Sequence, residues 1–344
     1  VVRFVTLAAL SAPIQIIGQG LAGTCLAWTF FERGVPFELV DREEGGSSRV
    51  AAGLVNPITG ARFEPSWRIA GFLPGAVAFY QVLEARLGGT FWHPMPVVRL
   101  AAQAKEWAKI TGKLGDEAAA PWVASVIDPP PGEWTGAVEL RGGGRLATRE
   151  LLDASREFFR GRGLYRRAVV DPTSPAAGER VWCEGAAGLL AGRLGPHRCA
   201  KGEILTLRAI GWSEPRIFIG GGGWMVPVGD GCYKVGATYD WDHLDQVPTA
   251  AGRERVEAIA RRLAPGPFEV TGHDAGIRPI LRRSQPLIGP HAGEWFFNGL
   301  GSKGSLYAPG MAARLAAWLL DGVEPEAEVQ LEAFLAQQRN PDER

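Results

Sequence analysis

The fold class this sequence predicts is an α/β domain on a parallel sheet, interleaved along the chain with an α+β domain on an antiparallel sheet. Three observations carry it. Residues 14–41 read as a strand, a glycine turn, a helix and a second strand ending in an acid; residues 203–238 alternate apolar and polar positions between glycine turns; and from residue 294 the chain returns to an apolar strand and a second glycine loop.

The first segment has the make-up of a dinucleotide grip. Gly18 permits the sharp turn out of the strand, Gly20 lets backbone N–H groups approach a pyrophosphate, and Gly23 lets the helix lie close to the sheet. Unpaired amides at the helix N-terminus, with the peptide dipoles behind them, favour an anion there. Asp41 stands about 20 residues on, where a carboxylate accepts both ribose hydroxyls. Residues 45–57 follow as a loop of small residues suited to lying against phosphate or a flat ring.

The pattern then predicts a helix over 74–87, a strand over 96–101, a helix over 105–114, a strand over 137–141, an amphipathic helix over 146–160 and strands at 168–170 and 180–183. Strands over 203–208, 216–219, 224–228 and 232–238 come next, then a helix over 249–263, a strand over 294–298 and a helix over 309–320. The glycine runs at 142–144 and 220–223 read as turns. One discontinuous body is expected from 13–75, 140–200 and 275–325, and a second from 76–139 and 201–274, with 1–12 as an extension and 326–344 as a tail.

Composition narrows the function classes. The chain has 344 residues, 46% hydrophobic and 22% charged, which is enough for a sizeable core in about two domains. Lys plus Arg and Asp plus Glu number 37 each, so no global field draws the protein to nucleic acid or anionic lipid. Cys25, Cys183, Cys199 and Cys232 form no CxxC pair and the five histidines are scattered; no metal site is expected, and reduced thiols favour the cytoplasm. The apolar stretch 4–12 has only Arg3 before it and runs straight into the first strand, so it reads as an extension rather than a secretory signal. No run of 18 apolar residues exists, hence no membrane span is expected.

Four blocks recur in a recognisable order: the grip at 14–41; Ser47-Ser48-Arg49-Val50-Ala51-Ala52-Gly53; Gly276-Ile277-Arg278-Pro279 with Pro286-Leu287-Ile288-Gly289 after it; and the loop from Gly299 through Gly301, Ser302, Lys303, Gly304, Ser305 and Tyr307 to Pro309. Together they resemble the FAD-dependent oxidoreductases of the D-amino acid oxidase, glycine oxidase and sarcosine oxidase type, from Ile14 to about Gly322. Lys201-Gly202-Glu203 and Gly236-Ala237-Thr238 also resemble family turns around the substrate sheet. The last block is most similar to the oxidase half of the bifunctional tRNA wobble-uridine enzyme, and only that half is matched.

The resemblance implies a Rossmann-like FAD-binding domain interleaved with an antiparallel-sheet substrate domain. It implies FAD held by Gly18, Gly20, Leu21, Ala22, Gly23, Asp41, Arg42, Ser47, Ser48, Ala52, Gly53, Val169, Gly185, Gly299, Gly301, Ser302, Lys303, Gly304 and Ser305. The reaction implied is oxidation of the C–N bond of a small amine or amino acid by hydride transfer to flavin N5, with oxygen or another acceptor taking the electrons. A carboxymethylaminomethyl group on tRNA, or a flavin-binding role without amine oxidation, are the alternatives. For tRNA, the arginines at 160, 162, 166 and 167 or at 253, 255, 261 and 262 would have to supply a basic surface.

Arg278, Lys303 and Tyr307 are the catalytic candidates that follow. Arg278 either binds a substrate carboxylate with its planar fork or forms a structural ion pair. Lys303 either places positive charge near the flavin N1 and C2 carbonyl or is a solvated lysine in a glycine turn. Tyr307 is expected at the pocket because it follows the flavin loop. His273, in an expected loop, is either a base or an ordinary surface or core histidine. Trp224, Tyr233, Tyr239 and Trp241 either wall the pocket or belong to the core. Arg282 and Arg283 depart from the family pattern and are either surface charges or part of a wider anionic site.

Overall fold

The computed structural model describes residues 12–281 and 285–339. The expected extension 1–12, save Ala12, and Arg282 and Arg283 lie outside the described residues.

A six-stranded sheet forms one body. Its order is Tyr165–Arg167, Phe37–Asp41, Ile14–Ile17, Arg180–Trp182, Glu294–Asn298, Leu287–His291, with the first five parallel and the last antiparallel. Ile14–Ile17 and Phe37–Asp41 are joined through the helix Leu21–Glu32, whereas the other parallel neighbours come from distant parts of the chain, so the sheet is completed only by long crossovers. The grip helix Leu21–Glu32 packs against the late helix Gly304–Asp321. Residues 21–28 are buried on every side, since this helix lies between the sheet and other helices. The Trp28, Phe31, Phe158 and Phe159 rings lock it to the helix Thr148–Arg160, and the Trp28 indole N–H donates to Ser155 Oγ at 2.9 Å.

An eight-stranded sheet forms the second body, in the order Phe268–Arg278, Ala200–Ala209, Cys232–Gly236, Gly223–Gly229, Ile217–Gly220, Val97–Ala101, Gly136–Leu140, Val123–Ile127. All its pairings are antiparallel except Ile217–Gly220 with Val97–Ala101. One face carries Leu205, Leu207, Phe218, Met225 and Val235 against the helix Ala250–Leu263. The opposite face looks toward the first body.

Several expected elements shift, each for a local reason. The strand expected at 168–170 lies instead at Tyr165–Arg167, because its partner strand ends at Asp41 and the ladder stops with the Ala168 N–H on the Asp41 carbonyl. Val169 is left exposed. Gly144 and Leu146 belong to a short strand rather than to a turn and the following helix. His273 lies on the eleven-residue strand Phe268–Arg278, not in a loop. The stretch expected as a tail contains the helix Leu331–Arg339, whose Leu331 and Phe334 are buried.

Both helices expected to begin at a proline begin earlier. They run Ile69–Leu87 and Gly304–Asp321, with Pro74 and Pro309 inside. A proline has no N–H for the carbonyl four residues before it. For Pro309 that carbonyl is Ser305, and the buried Tyr80 hydroxyl donates to it at 2.8 Å. Tyr80→Phe therefore leaves a buried carbonyl without its donor and is expected to destabilise the protein by about 1–3 kcal/mol, read as a lower urea midpoint at unchanged slope.

Candidate active site

A cavity of about 900 Å³ lies where the two bodies face each other, within the roughly 300–1,000 Å³ span of small-molecule and cofactor sites. Four parallel strands point their C-terminal ends into it, at Ile17, Asp41, Asn298 and, one residue past Trp182, Cys183, as open α/β sheets do at ligand crevices. The eight-stranded sheet supplies the opposite wall through Gly202, Ile204, Ile219, Trp224, Gly276 and Arg278.

The turn after the first strand is shaped by backbone contacts. Gly18 has φ +106°, and a Cβ there would meet the Cys183 carbonyl oxygen at 2.6 Å. At Gly23 a Cβ would lie 1.9 Å from the Gly18 carbonyl oxygen, so helix and turn touch backbone to backbone. The grip helix has no side-chain cap at Gly20 and no acid in its first turn; its Leu21 N–H reaches the Ser48 hydroxyl at 3.1 Å. The positive end of the helix thus faces the cavity with no carboxylate of its own. Asp41 is fixed at the rim by the N–H groups of Gln19 and Glu43, each at 2.6 Å from a different carboxylate oxygen.

The late glycine loop comes to the same place. A Cβ on Gly304 would stand 2.9 Å from Leu21 Cδ1, and Ser302, Lys303 and Gln19 all line the one cavity. Lys303 sends its ammonium to Thr59 Oγ1 at 3.2 Å and Ser66 Oγ at 3.3 Å. Burial pushes that ammonium below its ordinary range. Arg278 donates to the carbonyls of Lys201 at 3.3 Å and Thr238 at 3.1 Å, and its guanidinium carbon sits 4.0 Å from the centre of the Tyr239 ring. Burial lowers this group too, with Tyr239 opposing the shift.

Comparison with known proteins decides the family. The model of a family described as FAD dependent oxidoreductase matches residues 14–318. The chain belongs to the FAD dependent oxidoreductase family. It is 26% identical to a glycine oxidase of Pseudomonas aeruginosa, covering 92% of this chain and 96% of that protein. It is 27% identical to the tRNA 5-methylaminomethyl-2-thiouridine biosynthesis bifunctional protein of Marinobacter nauticus, covering 88% of this chain but spanning only 55% of that protein's length. Among solved structures, iminodiacetate oxidase from Chelativorans sp. shares the fold at a TM-score of 0.72 and 23% identity over 91% of this chain and 96% of that one. Glycine oxidase from Bacillus cereus does so at 0.75 and 18%, over 93% and 97%.

As an FAD dependent oxidoreductase, the chain uses FAD, and the cavity suits it. The backbone-to-backbone turn at Gly18 and Gly23, the carboxylate-free helix end and the fixed Asp41 are what a pyrophosphate and ribose require. Of the residues named from the sequence as cofactor contacts, all line the cavity except Gly23, which lies beneath the turn. Arg278 and Lys303 line it as well; Tyr307 does not. The helix starts at Gly304 and rotates Tyr307 into the core, where its hydroxyl donates to the Trp67 carbonyl at 3.0 Å. Trp224 and Tyr239 are at the cavity, Tyr233 is in the core and Trp241 is half exposed. His273 is off the cavity wall, its Nε2 2.8 Å from the Glu203 carboxylate, which also holds the Thr249 N–H and hydroxyl at the start of the helix Ala250–Leu263.

Sequence reasoning singled out neither Arg99, Arg156 and Arg193, which line the cavity, nor Lys234, which does not line it but holds the residues 50–51 that do. Arg156 lines the cavity beside Asp41's partner Gln19, donating to Gln19 Oε1 at 2.8 Å. Lys234 crosses from the eight-stranded sheet to the Val50 carbonyl at 2.7 Å and that of Ala51 at 3.3 Å, ending the short helix Ser47–Val50. Burial lowers the Lys234 ammonium below its ordinary range. A lone lysine between the core residues Tyr233 and Val235 was the available signal, since alternation sends it to the cavity-side face. Among the described residues no cluster of His, Cys, Asp and Glu could hold a metal, and no helix is long and apolar enough to cross a membrane.

Proposed function

We propose that this enzyme oxidises the C–N bond of a small amine that carries a carboxylate, an amino acid or N-substituted amino acid. The observation that carries the reading is Arg278: a half-buried guanidinium at the cavity wall which, among the described residues, has two carbonyls and an aromatic ring for partners and no carboxylate. A partly desolvated cation of this kind is completed by an anion from outside, and a guanidinium suits a carboxylate through two parallel bonds. The names of the relatives, glycine oxidase above all, agree with that chemistry.

FAD, when bound, supplies the acceptor for the two electrons and hydrogen leaving the carbon next to nitrogen. The rest falls to the chain. We assign the pyrophosphate and ribose to the grip and Asp41, with Ser47, Ser48, Ala52 and Gly53 beside them and Arg42, Val169 and Gly185 toward the adenosine. Lys303 and the helix-start amides of Gly304 and Ser305 would stand at the end where a reduced ring gathers negative charge and would stabilise it, the amides of Gly301 and Lys303 being spent on the carbonyls of Pro279 and Leu300. Arg278 fixes the carboxylate and so orients the amine.

The tRNA reading is weaker. Arg160 pairs with Glu43 and Glu157, Arg166 with Glu38, Arg253 and Arg261 with Glu257, and Arg162 and Arg262 lie over Phe158 and Trp134. The arginines held by carboxylates make a poor phosphate track. The free thiols suit a reducing compartment, and we place the protein in the cytoplasm. The test is anaerobic: glycine, N-methylglycine and iminodiacetate are mixed with the yellow protein, and loss of absorbance near about 450 nm is expected with at least one carboxylate-bearing amine. Bleaching by amines without a carboxylate, and by none with one, would sink the reading.

A further inference from the structure

Between the strand Cys232–Gly236 and the helix Ala250–Leu263 runs a segment, residues 239–248, with no helix or strand of its own. It is nonetheless fastened along its length. At one end the Tyr239 ring lies against the Arg278 guanidinium. Next to it, the backbone of Asp240 exchanges hydrogen bonds of 2.8 and 3.0 Å with that of Lys201, and the Asp240 carboxylate accepts the N–H groups of Asp242 and His243. Further on, Asp245 takes the Lys201 ammonium at 2.6 Å. At the far end Gln246 Oε1 accepts the Gly46 N–H at 3.2 Å, in the loop beside the nucleotide turn. Tyr239 and Gln246 both line the cavity.

Two features separate this segment from an ordinary surface loop. Lys201 is 1% exposed, and an ammonium so deeply placed depends on Asp245, its one carboxylate partner among the described residues. The same Lys201 offers its carbonyl to Arg278, so one residue holds both the segment and the arginine. Tyr239 and Trp241, meanwhile, stack at 5.7 Å while 49% and 51% exposed. No core holds these rings; the inner one is spent on the face of Arg278.

We propose that residues 239–248 form a strap joining the nucleotide loop at Gly46 to the substrate arginine, with Tyr239 as the residue that positions Arg278. The inference rests on Arg278 being the carboxylate anchor. Two carbonyls hold two corners of the guanidinium, and the ring fixes the tilt of its plane, which sets where the remaining N–H groups aim. Asp245 and Gln246 act through the ring by fixing the strap's far end to Lys201 and to Gly46.

The probe is acetate, titrated into the FAD-loaded protein while flavin absorbance is followed; FAD retention is measured separately from the fluorescence of the filtrate. Tyr239→Leu is expected to weaken acetate roughly 2- to 30-fold with FAD retained, and Tyr239→Phe, which keeps the ring, to restore wild-type binding. Asp245→Asn and Gln246→Ala are each expected to weaken acetate, yet to add nothing in the Tyr239→Leu background. Wild-type acetate binding by Tyr239→Leu, Asp245→Asn or Gln246→Ala, or effects that add, overturns the strap. If Arg278→Met loses acetate in the same series, the carboxylate reading survives that result; if Arg278→Met keeps it, both fall.

Discussion

Replacing Arg278 by Met lowers kcat/KM for a carboxylate-bearing amine by about 10²- to 10⁴-fold. Two charge-assisted hydrogen bonds contribute roughly 1.5–3 kcal/mol each, and each 1.4 kcal/mol is a factor of ten. The loss falls mainly on KM, because the carboxylate is held alike before and during the bond-breaking step. Arg278→Lys returns only part of it: the charge is kept but the fork is not, and the shorter side chain no longer satisfies the carbonyls of both Lys201 and Thr238. Steady-state kinetics on whichever substrate bleaches the flavin measure the effect, and a variant within threefold of wild type would show the carboxylate to lie elsewhere.

The second large effect is on the cofactor itself. Gly23→Ala puts a methyl 1.9 Å from the Gly18 carbonyl oxygen, a clash no side-chain rotation relieves because both partners are backbone. The helix must move off the turn, and the pyrophosphate loses its amides. The purified variant is expected to be colourless, with FAD affinity down at least about 100-fold, and less stable by about 1–3 kcal/mol or more. Gly75→Ala is the control of opposite sign. It sits inside the helix Ile69–Leu87 with nothing within 4 Å of the added methyl, so it is expected to stabilise by about 0.5–1 kcal/mol. Flavin-to-protein absorbance ratios and urea midpoints on the two variants separate cofactor loss from general damage.

What could be read from the sequence was chemistry settled within a few residues. The grip is legible because Gly18, Gly20 and Gly23 solve steric problems posed by their immediate neighbours. The strand Phe268–Arg278 was not. It is an edge strand with a single neighbouring strand, half buried, and Gly272, His273, Asp274 and Gly276 break its alternation. Prolines misled in the opposite way: Pro309 looks like a helix start until Tyr80, far off in sequence, is seen to serve the carbonyl it leaves free. Arg156 and Lys234 reach partners 137 and 184 residues away, distances over which spacing carries no signal. Tyr307 erred by treating nearness in sequence to the loop as nearness in space.

The contact between Leu21 and Gly304 also bears on how the enzyme comes into being. These positions are separated by about 280 residues, which at roughly 5–20 residues per second of synthesis is about 15–55 seconds. Throughout that interval the nascent polypeptide displays a largely apolar helix with its eventual neighbour still untranslated. Flavin colour is therefore expected only once residue 304 and its helix have been translated, and chaperone demand before that point.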